Sequence, residues 1–277
     1  MPRDDWQPKR RLEKGYFNSL NQIMQYLVDL IKDEDNPFTI VKLLKFAFNN
    51  PVFKRHAYET AKRMVTMLFV SNATSWRHAA RKSSKGKIIY KALINELKDP
   101  VIGGAFNDQV QRNAGIIQTL PLNISEKVTD YIAKESLKGR RASDIAKEIQ
   151  LMFPGNTRAK ATLIARTEVS KTTTALTRSR AENLGMMWYE WRTSEDERVR
   201  KSHDHMHSAL INWNNPANPE KLIGESKPNN SYHAGEIYNC RCYPAPLTDI
   251  DDVSWPHKVF IGGKIITMSK AKFQKIM

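Results

Sequence analysis

Met187-Trp188-Tyr189-Glu190-Trp191-Arg192 is where the sequence changes character. A short run this rich in large aromatics reads as a strand. Almost everything before it reads as helix. Leu12, Tyr16, Leu20, Ile23, Leu27 and Leu30 recur at spacings of three and four, which sets them on one stripe of a long helix ending near Asn36-Pro37. A second helical element covers 38–48, and Pro51 suits the first turn of a third, with Met64, Val65 and Leu68 on its buried side. Ser83-Ser84-Lys85-Gly86 makes a break before helical patterns over 87–97 and after Asp99-Pro100, the latter weakened by Gly103, Gly104 and Gly115. Asn123-Ile124-Ser125 reads as the entry to a helix running to Gly139. Ser143 then caps another that ends by Pro154-Gly155, and residues 157–184 form one more, stopped by Gly185.

Beyond the aromatic run, residues 259–261 and 264–267 flank Gly262-Gly263, a two-residue hairpin signal, and Ser269 can cap a short final helix. The expected fold class is therefore α+β: a mainly helical N-terminal region, residues 1–122, followed by a small α+β domain, residues 123–277, with a metal-stabilised loop. The N-terminal region is either an extended arm or a docking domain; an arm would need a partner to bury the stripe that begins at Leu12.

The loop reading comes from the cysteines. The chain has two, both in Asn239-Cys240-Arg241-Cys242. In extended backbone, residues two apart face the same way, and their Cα atoms stand at or beyond the reach of an unstrained disulfide. Two adjacent thiolates instead suit zinc or a related soft ion, with histidines completing the set. If the segment after Asp196 is helical, His203 and His207 share a face and His205 points away. The expected ligands of a structural zinc are His203, Cys240 and Cys242, with His207 or His233 as the fourth. Against this stands the plainer reading of two small buried thiols.

The net charge is +15, and residues 51–91 hold ten Lys or Arg against one acid, Glu59. Such a surplus is either a solvated helical face or a surface beside a polyanion, most simply DNA held without sequence preference. Lys54, Arg55, Lys62, Arg63, Arg77, Arg81 and Lys82 are the candidate DNA-proximal residues. No apolar run reaches the length of a membrane span, and no signal-peptide core follows the N-terminus. With so few cysteines, a reducing cytoplasm is the expected site of synthesis.

Arg166-Thr167-Glu168 on a helix, Trp191 leading into Asp196-x-Arg198-Val199-Arg200-x-x-His203, then Gly235 and Asn239-Cys240-Arg241-Cys242 resemble, in this order, the phage head-morphogenesis family of Mu F-like minor head proteins. Ala234 departs from the proline common before that glycine in relatives, and His207 is not an expected shared position. The resemblance implies a minor capsid protein of the virion, made in the host cytoplasm and built into the head at or near the portal, acting in head morphogenesis and in DNA packaging or ejection. The implied partners are the portal protein, the major capsid or scaffold protein, and packaged double-stranded DNA.

Arg166, Glu168, Asp196, Arg198 and Arg200 read as a polar network, Arg166 or Arg200 meeting Asp196 or Glu168 to fasten the helix to the α+β unit rather than to catalyse. Trp188 and Trp191 read as core or interface aromatics, and Trp213 as the pin of a polar loop that continues to Asn230. Two rival functions remain. One is a metal-dependent nuclease or related hydrolase built on His203-Asp204-x-x-His207, although two thiolates and two histidines would leave water no position. The other is a plain non-specific DNA-binding protein.

Overall fold

In the computed structural model, which describes residues 4–277, the first apolar stripe lies along helix α1 (Arg10–Ile31). Its buried side is Leu12, Tyr16, Leu20, Ile23, Met24, Leu27 and Ile31, so the stripe closes on Ile31 while Leu30 is only partly covered. Asn36 caps α2 (Pro37–Asn49), its Oδ1 accepting the Phe38 N–H at 2.9 Å. Asn50 does the same for Val52 at 2.8 Å at the start of α3 (Pro51–Lys82). In both, the proline stands in the first turn, where an N–H would have no partner in the helix. α4 (Gly86–Asn95) and a 3-10 turn (Glu96–Lys98) lead to α5 (Pro100–Gln118), which its glycines do not interrupt.

Two boundaries differ from the sequence reading. α6 (Leu120–Ser136) starts before Asn123, and the Ser125 hydroxyl donates to the Leu122 carbonyl at 2.8 Å instead of capping. α7 (Ala142–Asn183) runs unbroken through Pro154-Gly155, with Ser143 inside its first turn. The interior proline costs about 3 kcal/mol. Ile145, Ile149 and Phe153 are buried before it and Ala161, Ile164 and Ala165 after it. Each large apolar side chain so buried contributes roughly 1.5–3 kcal/mol, so packing on both flanks outweighs the local preference. The helix ends on Gly185 (φ +68°), where the Met186 N–H reaches the Ala181 carbonyl at 2.8 Å and the Gly185 N–H that of Glu182 at 3.0 Å. This is a Schellman closure.

The chain forms two compact units that interleave in sequence. One comprises Arg10–Thr66 and Asp108–Arg166; the other comprises the segment up to Lys9, Met67–Asn107 and Thr167–Met277. The unit boundaries fall within α3, α5 and α7, and the 122/123 position falls within α6. In the first unit α1 buries its stripe, and α2 packs on α1 and α6.

The second unit carries a mixed sheet of five strands in the order β3-β1-β2-β4-β5. These are β1 (Trp188–Arg192), β2 (Leu210–Asn212), β3 (Tyr243–Pro246), β4 (His257–Ile261) and β5 (Lys264–Met268). β2 and β4 are parallel, and the other neighbours are antiparallel. Gly262 and Gly263 have positive φ and close the β4–β5 hairpin as expected. Alternation along β1 sends Tyr189 and Trp191 to one face, against Trp76, Ala181 and Trp213. Trp188 goes to the other, against Leu210, Val259 and Phe273, the last from α10 (Lys270–Phe273). Both tryptophans are core residues, on opposite sides of the sheet. Ser269 occupies the cap position of α10 without a side-chain bond. Among the described residues no helix is long and apolar enough to cross a membrane.

Candidate metal centre

His203 lies on α8 (Lys201–His205), a single turn, with its ring 5.7 Å from that of Trp191 on β1. Asp196 sets its approach by accepting the Arg198 N–H on Oδ1 at 3.0 Å, while its carbonyl accepts the Val199 N–H at 3.0 Å. Arg241 then reaches Asp196 Oδ2 at 3.0 Å, and Arg200 donates to the Tyr238 carbonyl at 3.0 Å. Both contacts tie the segment bearing His203 to the loop bearing the cysteines. Arg198 adds a looser approach to Asp196 at 3.9 Å.

The cysteine loop is fastened in turn to α7. The Asn239 N–H donates to Thr167 Oγ1 at 3.1 Å, and Thr174 Oγ1 donates to the Ala234 carbonyl at 2.8 Å. Gly235, at φ +88°, lies so close to α7 that a Cβ there would stand 2.5 Å from Thr174 Oγ1 and 3.0 Å from Ser170 Oγ. Only glycine fits both the backbone angle and the space. The separate sequence motifs thus converge on one place.

At that place His203, Cys240 and Cys242 bring their ligand atoms within 4.8 Å of one another. His203 Nδ1 is 3.5 Å from Cys240 Sγ and 3.3 Å from Cys242 Sγ. For a tetrahedral zinc, bond lengths of about 2.3 Å to sulfur and about 2.0–2.1 Å to nitrogen put N and S roughly 3.5 Å apart. The other ring nitrogen, Nε2, is 2.8 Å from the Tyr232 hydroxyl, which is 2.6 Å from Glu220 Oε1. A carboxylate can only accept, so the phenol donates to Glu220 and accepts from His203. That places the imidazole hydrogen on Nε2 and turns the Nδ1 lone pair to the sulfurs, as a ligating histidine needs. Among the described residues Glu220 Oε2 has no hydrogen-bond partner, although it is buried.

The thiols differ. A hydrogen bond from Cys242, with help from His203, holds the Cys240 thiol well below its ordinary pKa. Burial, reinforced by the neighbouring Cys240, pushes Cys242 well above. The pair gives up one proton readily and keeps the other, as adjacent sulfurs in a dry pocket must until a cation joins them. His203, Cys240 and Cys242 are 2%, 3% and 1% exposed, which keeps bulky substrates from the donor atoms.

The structure does not bring the two candidate fourth ligands to this cluster. α8 stops at His205, so His207 never reaches the helical position one turn beyond His203. His207 meets Thr193 Oγ1 at 2.9 Å, with Glu195 at 3.7 Å, and His205 is exposed. His233 lies against Tyr189, Nδ1 to hydroxyl 3.1 Å, with its ring 5.2 Å from that of Trp213. Burial, then the nearby Arg178, push its pKa down to about 4. Trp213 pins its loop as expected, fully buried with its ring centroid 4.1 Å from that of Tyr189, the planes tilted by 33°.

Of the expected polar network, Arg166 meets Glu13 at 3.3 Å in the helical unit, and Glu168 is buried on α7. The short ion pair of Asp196 is with Arg241, which the sequence reading quoted beside the cysteines but did not place in the network. Sequence reasoning also missed Thr174, Glu220 and Tyr232, and quoted Thr167 in a motif without giving it a role. Asn218-Pro219, in a stretch read as loop, carries the cap-and-proline pattern that could have revealed α9 (Pro219–Leu222), whose cap, Asn218 Oδ1 to the Lys221 N–H at 2.9 Å, helps to hold Glu220 inward. Lys54, Arg55, Lys62, Arg63, Arg77, Arg81 and Lys82 are all exposed on α3.

Residues 124–244 match the family model described as Phage Mu protein F like protein. An uncharacterized protein of Haemophilus influenzae is 29% identical over 185 residues, 65% of this chain and 38% of that protein, so the chain spans well under half of its relative's length. No solved structure matches the chain. The matched segment contains α7 from Arg166, the His203 turn, Gly235 and both cysteines, so the sequence motifs quoted for the resemblance lie within the part of the chain that is similar to the phage Mu protein F-like family.

Proposed function

We propose that this chain is a minor head protein of a bacteriophage, carried inside the virion at or near the portal, where it acts in head morphogenesis and in DNA packaging or ejection. The observation that carries the reading is the family match over 124–244, the segment in which the motifs converge on one buried cluster. In this reading the partners are the portal protein, then the major capsid or scaffold protein, and packaged DNA held without sequence preference by the exposed bases of α3. The N-terminal helices act as a docking region and residues 123–277 as the Mu F-like domain. The test is quantitative mass spectrometry of purified particles. The expected amount is at or below that of the portal protein; an amount near that of the major capsid protein refutes it.

His203, Cys240 and Cys242 would hold a structural zinc. Such an ion would neutralise both thiolates and lock the loop to α8, and Nδ1 of His203, presented by Tyr232 and Glu220, would be its nitrogen donor. Burial of all three ligands supports a structural over a catalytic role. Elemental analysis of undenatured protein tests it: about one zinc per chain is expected, and none refutes it.

A further inference from the structure

α6 and α7 are joined by a short connection and leave an apolar trough between them within the helical unit. Its volume is about 570 Å³. It is lined along α6 from Leu120 to Tyr131 and along α7 from Ile149 to Leu163. At 1.5 Å per residue these walls run for roughly 17 and 21 Å, three to four helical turns. Met24, Val128, Ile149 and Phe153 line it as largely buried residues, and Met152, 41% exposed, lies open to solvent. Two helix walls with an apolar lining present the surface onto which a third helix packs by its apolar face. The charges select which helix. Among the described residues, the charged side chains lining the trough are Lys127 on α6 and Lys160 on α7, one on each wall, both exposed.

We infer that this trough is a docking site for an amphipathic helix of a partner protein, about three to four turns long, whose apolar face is flanked on both sides by Asp or Glu. The apolar face replaces water along the floor and supplies the affinity. The flanking carboxylates meet Lys127 and Lys160 and fix its orientation. This inference does not rest on the head-protein reading, and the particle measurement leaves it untouched.

The test uses the full chain and three fluorescein-labelled fifteen-residue peptides at physiological salt, read by anisotropy. One has a leucine face flanked by Glu, one the same face flanked by Lys, and one the composition of the first scrambled to remove the face. The Glu-flanked helix is expected to bind at least about tenfold more tightly than the Lys-flanked one, as two exposed ion pairs turned from attraction to repulsion allow. K127E with K160E, both on the surface, is expected to reverse that preference, whereas K54E with K62E, equal in charge change but outside the trough, leaves it in place. Met152→Asp should weaken both helical peptides. Equal binding of the scrambled peptide would assign the attraction to general charge and overturn the proposal. So would failure of both helical peptides to bind, or a preference that K127E with K160E does not move.

Discussion

Gly235→Ala isolates the contact between the cysteine loop and α7 with a single methyl group. Two costs add. At φ +88° an L-residue is strained by roughly 1–2 kcal/mol. The new Cβ would also stand 2.5 Å from Thr174 Oγ1, 3.0 Å from Ser170 Oγ and 3.1 Å from the Cys242 carbonyl oxygen, so the loop must lift or α7 must yield, a further cost of about 1–3 kcal/mol. The expected loss is about 2–5 kcal/mol in a urea titration followed by tryptophan fluorescence. Lifting this loop also moves Cys242, so metal retention should fall in parallel. Thr174→Ala removes the nearest obstructing atom together with its bond to the Ala234 carbonyl. In the double variant the two costs should combine less than additively, because the clash is relieved while the backbone strain remains. A Gly235→Ala protein within about 0.5 kcal/mol of the parent would refute the close approach of loop and helix.

Three further outcomes follow from the same geometry. Tyr232→Phe should keep the fold but weaken metal retention by about 10–100-fold in a competition with a chromophoric chelator, since His203 Nε2 and Glu220 lose their link; unchanged retention would contradict the relay. Arg180 is 2% exposed, bonds Glu96 at 2.7 and 3.0 Å and covers the Phe69 ring at 4.2 Å. Arg180→Met should therefore cost about 3–5 kcal/mol by leaving Glu96 buried and unpaired, and adding Glu96→Leu should recover much of it; an additive double variant would sink the account. His233 is neutral in both states above pH 6.5, but from there down to about 4 only the unfolded chain takes up its proton. Stability should fall through that window by at most about 3 kcal/mol and level off below it, and His233→Phe should remove this component of the urea midpoint's pH dependence.

What was legible in the sequence was what local pattern encodes. The α1 stripe, the Pro51 helix start, the Gly185 stop and the Gly262-Gly263 hairpin each depend on residues within a few positions of one another. Pro154-Gly155 misled because its local cost is outweighed by apolar side chains buried on either side, which no window of sequence displays. The candidate centre divides the same way. Cys240 and Cys242 are visible as a pair, and His203 could be selected from the expected helix. The fourth-ligand expectation failed to materialise because α8 lasts one turn and His233 is claimed by Tyr189 and Trp213. Glu220 and Tyr232 were silent because a carboxylate and a phenol acquire their meaning only when tertiary structure aligns them behind the imidazole.

The attachment of the cysteine loop also sets an order in time. Asn239 meets a helix residue made 72 positions earlier, and the sulfurs meet an imidazole made 37 and 39 positions earlier. While the ribosome has yet to deliver Cys242, α7 and the first strand are complete but Trp191 and His203 lack the segment that covers them. The newborn chain therefore passes through an interval in which Trp191 and His203 are uncovered, and closure of this loop ends it. A translational pause or premature stop just before residue 240 would leave a polypeptide with nearly all its helices and a sticky open face, a substrate for chaperones and proteases rather than a shortened working protein.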